Sequence, residues 1–225
     1  QRVPQPLGHP RGRHRAYDIL RAGSLRLPEV RVAGLSLQGA GLSTAKNGTR
    51  VPTELPLDAA FWRVIGLYLA EGHCTADGKR QRISWSFNPK TERALAEEVA
   101  GYWRSHGVRA DVRRGSTTVQ VTISSRILAA LFMDTLELGA GCYEHRLPDL
   151  VWDAPEEHRR ALLGGLWRGD GSWSLVNGGP SVILEYGTVS PALADGVLRL
   201  LGTLGVVASL RVGRATGSTV DAHWI

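Results

Sequence analysis

Two carboxylates, Glu71 and Asp170, stand 99 positions apart in matching surroundings: Gly66-Leu67-Tyr68-Leu69-Ala70-Glu71-Gly72 and Gly165-Leu166-Trp167-Arg168-Gly169-Asp170-Gly171. Small residues four apart (Gly66 and Ala70; Gly165 and Gly169) let two helix backbones approach closely along one line. Each acid then falls at a helix C-terminus, followed by a glycine suited to a left-handed cap. That end of a helix is negative, and two such ends side by side bring two anions together, so something cationic is expected between them. Hard oxygen ligands and open carbonyls suit Mg²⁺ or a similar divalent ion. The bland alternative, two solvated acids after unrelated helices, leaves the coincidence of small-residue spacing, terminal glycine and duplication without a cause. A glycosidase pair would not normally sit on two packed helix ends. His73-Cys74 and Cys142 with His145 permit a zinc site, but their spacing matches no standard one, and two small buried or half-buried thiols are the better reading.

The elements that carry the acids recur. Asp58 opens a dense apolar helix over Phe61 to Ala70, and Asp153 with Glu156 resembles a capping box opening a second, through Ala161 to Trp167. After the first come a strand at Arg82 to Asn88, a helix from about Lys90 to His106, a hairpin of Val108 to Arg114 with Thr117 to Ile123, and a helix from Ser124 to Leu138. After the second come a strand at Ser181 to Thr188, a helix from about Ser190, and strand-like Val206 to Val212 and Val220 to Ile225. Positions 98 apart pair Leu95 with Leu193, Val99 with Val197, Gly107 with Gly205 and Val108 with Val206, which marks an internal duplication. The counterpart of the Ser124 to Leu138 helix would begin where the second copy stops.

The chain has 225 residues, 43% of them hydrophobic, and a net charge of +6. This composition suits a soluble globular protein without a membrane span or secretory signal, and two cysteines fit a reducing, intracellular compartment. Residues 1–57 hold nine Lys/Arg against three Asp/Glu, so all of the excess sits in a basic, turn-rich arm with one strand-like alternation around Leu25 to Val32. The scarcity of lysine (Lys46, Lys79, Lys90) reads as codon bias. Three units follow: the arm at 1–57, a first half at 58–150 and a second at 151–225.

The motifs Val64-Ile65-Gly66-Leu67-Tyr68-Leu69-Ala70-Glu71-Gly72 and Leu163-Gly164-Gly165-Leu166-Trp167-Arg168-Gly169-Asp170-Gly171 resemble those of the LAGLIDADG homing endonucleases. Leu55-Pro56-Leu57-Asp58, Arg146-Leu147-Pro148 and Gly187-Thr188-Val189-Ser190 are similar to the endonuclease domains carried inside inteins. The resemblance covers about residues 55–225. It implies an α+β monomer of two pseudo-symmetric αββαββα-like halves with saddle-shaped antiparallel sheets, and motif helices packed at the interface. It further implies metal-dependent cleavage of both strands of a long DNA site. Carried over, Glu71 and Asp170 become the catalytic metal ligands, with the carbonyls of Ala70 and Gly169 as additional oxygens. Mg²⁺ or Mn²⁺ would support cleavage, and Ca²⁺ binding alone. The family often adds a basic residue beside the metals; Arg113, Arg211 and Lys79 are the candidates by position. Neither an intein-like nucleophile at Gln1 nor a terminal His-Asn pair at Ile225 is present, so self-splicing by this chain alone is not expected.

If helices cover the Ile83, Trp85 and Phe87 face of the first sheet, the other face shows Arg82, Ser84, Ser86 and Asn88, joined by Arg109, Asp111 and Arg113 and by Thr118, Gln120 and Thr122. The analogous second set is Ile183, Glu185, Ser209, Arg211, Asp221 and His223. Such side chains suit base-edge contacts in a major groove, although each alone is as readily an ordinary solvated residue. Because the two faces have diverged, the DNA target is expected to be asymmetric, with the arm adding phosphate contacts. The rival from another class is a non-cleaving DNA-binding regulator or an RNA-splicing maturase on the same scaffold. An acid kept in both motifs argues against the regulator.

Overall fold

The structure, a computed structural model, describes residues 23–44, 48–78, 80–214 and 219–225, the side chain of Asn177 excepted. Residues 1–22, and with them much of the basic arm, lie outside the described residues, as does Lys79. Around Leu25 to Val32 the expected strand is instead a short helix, α1 (Leu27–Val32). Pro28 pre-sets the first turn, and Glu29 accepts the Arg26 N–H at 2.6 Å, so local capping overrides the alternation. A hairpin of β1 (Gly41–Leu42) and β2 (Val51–Pro52) follows, and buried Val51 ties it to the core.

Asp58 accepts the Phe61 N–H at 2.8 Å and starts α2 (Ala59–Glu71). Phe61, Trp62 and Val64 to Leu69 are all buried, as befits a helix walled in on nearly every side. Then come β3 (Gly72–Asp77), β4 (Arg80–Phe87), α3 (Arg93–Ser105), β5 (Asp111–Arg114) and β6 (Val119–Ser124). They form an antiparallel sheet in the order β3-β4-β6-β5. Ile83, Trp85 and Phe87 pair with Ile123, Val121 and Val119, and this apolar face is buried beneath helices. The expected helix from Ser124 is broken: Ser125 caps α4 (Arg126–Ala130), and a wider π turn over Leu131–Thr135 brings Phe132 edge-on to Tyr68 and Trp85.

The second half begins with a 3₁₀ turn at Asp149–Asp153 and α5 (Glu156–Asp170). The expected capping box at Asp153 is absent. Pro155 holds Ala154 extended, so the helix starts only after the proline, without a side-chain cap. β7 (Gly171–Leu175), β8 (Val182–Thr188), α6 (Pro191–Thr203), β9 (Arg211–Gly213) and β10 (Ala222–Trp224) complete it, with sheet order β7-β8-β10-β9 matching the first. Strands expected over Val206 to Val212 and Val220 to Ile225 are shorter than the sequence implied. The architecture is therefore α+β, two antiparallel four-stranded sheets of the same order, and α2 and α5 make the most extensive contact between any two elements. Cover is unequal: Ile83 is fully buried under α4, whereas its second-half counterpart Leu184 is 62% exposed.

Candidate metal centre and nucleic-acid interface

Backbone contact between α2 and α5 brings the acids together. A methyl group on Gly66 would overlap the Leu162 carbonyl oxygen and lie 3.0 Å from Gly165 Cα; one on Gly165 would overlap the Arg63 carbonyl and lie 2.9 Å from Gly66 Cα. A methyl on Gly169 would sit 2.5 Å from Ala70 Cβ and 3.3 Å from Glu71 Oε1, so the last turn of α5 lies directly against the Glu71 side chain. The expected left-handed glycines are a correction. Gly72 and Gly171 have φ of −99° and −85°, extended backbone that leads straight into β3 and β7. They are glycines for space, because a side chain at either would run into the ring of Tyr68 or Trp167. Those rings pair in turn with Trp85 at 5.9 Å and Tyr186 at 5.8 Å, so an aromatic pair backs each acid.

Burial pushes the Glu71 carboxyl up to about 7, helped by Asp170 and then Glu92; burial and then Glu92 push Asp170 up to about 7 as well. Asp170 reaches solvent more than half-buried Glu71. Among the described residues neither acid has a Lys or Arg ion-pair partner. The Tyr186 hydroxyl is buried without a hydrogen-bond partner, and its pKa is raised by burial and then by Asp170 and Glu71. Cys74, four residues beyond Ala70, donates its N–H to Ala140 O, leaving the Ala70 carbonyl without that helical bond. Two carboxylates without a Lys or Arg partner, an orphaned hydroxyl and a carbonyl released from its usual helical bond fit a hard divalent cation. No grouping of three or more His, Cys, Asp and Glu suited to a metal occurs among the described residues, so water, carbonyl or phosphate oxygens would complete the shell. The same observation removes the zinc alternative: His145 is buried and donates Nδ1–H to Leu69 O, while Cys142 is exposed.

On the first sheet the register lines up Arg82 with Ser124, Ser84 with Thr122, and Ser86 with Gln120, the last pair continuing to Arg113. These side chains, with Asp111, share the face away from the helices. Ser84 departs from expectation: it is 4% exposed, its hydroxyl 3.3 Å from that of Thr122, which leaves little of it for a ligand. Asn88, Arg109 and Arg113 are exposed, and Thr118, Gln120 and Thr122 half-buried. In the second sheet Glu185 and Arg211 share the outward face and pair at 3.3 Å. His223 does not join them. It pairs with Thr188 and Val212 on the side of buried Tyr186, and Trp224 takes the outward place with Arg211 over its ring at 4.8 Å. Ser209 precedes β9, and Asp221 is ion-paired to Arg214. Arg113 and Arg211 lie on strands three places from those that follow the acids, about 14 Å at ~4.8 Å per strand, so neither sits beside them.

Several nearby groups escape a reading of the sequence. His73 and Thr75 on β3 pair with Ser84 and Arg82 and extend the polar face, but Gly72-His-Cys-Thr-Ala-Asp has no apolar alternation to reveal a strand. Glu92 acts on both acids electrostatically, and the turn that holds it, with Glu92 accepting the Asn88 N–H at 2.7 Å, also carries Lys90. Only the fold discloses that this turn lies by the helix ends.

A profile for LAGLIDADG-like domains matches residues 157–223. An uncharacterised protein of Methanocaldococcus jannaschii is 32% identical over 219 residues, 93% of this chain and 24% of that protein. The DNA polymerase II large subunit of Thermococcus kodakarensis is 31% identical over 170 residues, 73% of this chain. The chain thus spans about a quarter of the first relative's length and 9% of the second's. The homing endonuclease I-DmoI in complex with DNA and Mn has a similar fold, with a TM-score of 0.54 at 15% identity over 76% of this chain and 90% of that one; its complex with DNA and Ca gives the same TM-score. No helix among the described residues is long and apolar enough to cross a membrane. With its duplicated motif helices and paired sheets, the chain carries a LAGLIDADG-like domain at residues 157–223 and shares the fold of a LAGLIDADG homing endonuclease.

Proposed function

We propose that the chain is a site-specific DNA endonuclease that hydrolyses both strands of a long, asymmetric duplex site, acting as an intracellular monomer. The observation that carries this reading is the pairing of Glu71 and Asp170 at two glycine-packed helix ends, both raised to about 7 and without a cationic partner among the described residues. A divalent ion bound there, Mg²⁺ or Mn²⁺, would activate water and offset the charge developing on the phosphoryl oxygens. Glu71 and Asp170, in their deprotonated forms, would hold it, with the Ala70 and Gly169 carbonyls as further oxygens. The Tyr186 hydroxyl, buried without a partner, would donate to an oxygen held there, and Arg168 in the last turn of α5 and Lys90 beside Glu92 would supply positive charge near the helix ends. The polar sheet faces, Arg82, Ser86, Asn88, Arg109, Arg113, Thr118, Gln120 and Thr122 with Glu185 and Arg211, lie in the groove, and the basic arm at 1–57 adds phosphate contacts beyond the halves at 58–150 and 151–225. Resemblance to a stretch covering only 9% of a polymerase subunit supports an intein-borne module.

The test is cleavage of a pooled duplex library, with the ends sequenced. Paired ends recurring at one long site in Mg²⁺, with none in EDTA, are expected. Ca²⁺ should retain binding without cutting, because its looser geometry spoils in-line attack. Site-directed cutting that survives full chelation contradicts the reading.

A further inference from the structure

A cavity of about 300 Å³ opens where the N-terminal hairpin meets the outer end of the first sheet. Arg80, Arg82 and Arg126 line it together with Thr49, Ser124 and Ser125, and among the described residues no Asp or Glu does. Arg82 and Ser124 are directly paired across β4 and β6, and Ser125 is fixed by accepting the Leu128 N–H, so sheet and cap hold this wall in place. Arg63, Arg109, Arg114, Arg146, Arg160, Arg211 and Arg214 each pair with a carboxylate; Arg80, Arg82 and Arg126, like Arg113 and Arg168, make no ion pair among the described residues, and Asp77 stands opposite Arg80 in the β3–β4 register without closing on it. Three arginines without an ion pair around one concave, hydroxyl-lined space favour an oxyanion there.

We propose that this cavity is a phosphate-binding site, occupied in the working protein by a backbone phosphate of the DNA flanking the cut. The β3–β4 hairpin carries it five residues beyond Gly72, about 17 Å at ~3.4 Å per residue. That reach corresponds to about five base pairs from the scissile position. The DNA assignment rests on the nuclease reading; the anion site does not.

The experiment uses the full chain, the double variant Arg80→Gln/Arg126→Gln, and Arg160→Gln as a control whose arginine is paired with Glu156. Inorganic phosphate replaces chloride at constant ionic strength while melting is followed. A random-sequence duplex is then titrated by anisotropy across a range of KCl. Saturable stabilisation by phosphate is expected in wild type and control and not in the double variant, whose salt slope on duplex falls by about 0.9 for the lost phosphate contact. A phosphate response that is lost in the variant while the duplex slope stays unchanged overturns the DNA assignment and leaves a free-oxyanion site. No phosphate response in wild type overturns the proposal altogether. Failure of cleavage with the phosphate response intact overturns the nuclease reading and leaves the anion site standing.

Discussion

Glu71 and Asp170 carry a cost that is visible without DNA. Folding raises their carboxyl groups from the usual 4.5 and 3.8 to about 7, so the folded chain keeps protons the unfolded chain has released. In metal-free buffer the stability due to these groups is therefore complete below about pH 4 and is lost as pH rises through 7. Glu71→Gln removes the half-buried partner. It should flatten the decline between pH 4 and 7 and leave Tm at pH 7.5 equal or higher, by about 2–4 °C for each kcal/mol of repulsion relieved. Calorimetry over a pH series checks this. A variant that melts earlier at pH 7.5 and tracks the wild-type pH curve would show that Glu71 has a structural role. The acids themselves were legible in the sequence because type, spacing and duplication coincided. Tyr186 and Glu92 were not, since neither lies in a motif and only folding brings them to the helix ends.

Adjacent glycines in α5 give opposite expectations at the scale of the element. A methyl on Gly165 meets only backbone, the Arg63 carbonyl and Gly66 Cα, so the two motif helices must separate to accept it. A methyl on Gly164 meets nothing closer than an Arg63 guanidinium nitrogen at 3.5 Å. Gly165→Ala should therefore cost about 1–3 kcal/mol and cut activity by displacing the acids, whereas Gly164→Ala should gain about 0.5–1 kcal/mol of helix propensity. Chemical denaturation of both variants checks the pair; similar changes in both would mean the helices do not pack through Gly165. Long apolar helices and buried strands were readable because burial leaves a periodic trace: α2, β4 and the β5–β6 hairpin fell where periodicity placed them. What failed were competitions that periodicity does not register. Pro155 moved a helix start, Pro28 and Glu29 turned a strand into a helix, and a pairing register turned His223 inward. The strands β3 and β7 follow the helices without a break, and partners in β4 and β8 form them more than their own composition does.

For the molecule as a whole, duplication is what brings the two halves of the proposed site together. Neither half holds a complete centre, since each brings one acid, one aromatic pair and one polar sheet face, and only the glycine contact of α2 with α5 joins them. The halves differ on their outward faces, where Arg82, Gln120 and Arg113 in the first correspond to a second set built around Glu185, Arg211 and Trp224. Two sheets of the same strand order with unlike faces suit a target whose two half-sites differ. The claim that one acid from each half serves a single metal-dependent hydrolysis is tested most directly by single-turnover cleavage of the site-containing duplex in Mg²⁺ by Glu71→Gln and Asp170→Asn, each first bound to that duplex in Ca²⁺. Each variant is predicted to lose at least about 100-fold in rate, the scale for removing a group that stabilises the transition state. Cleavage by either bound variant at the wild-type rate would contradict it.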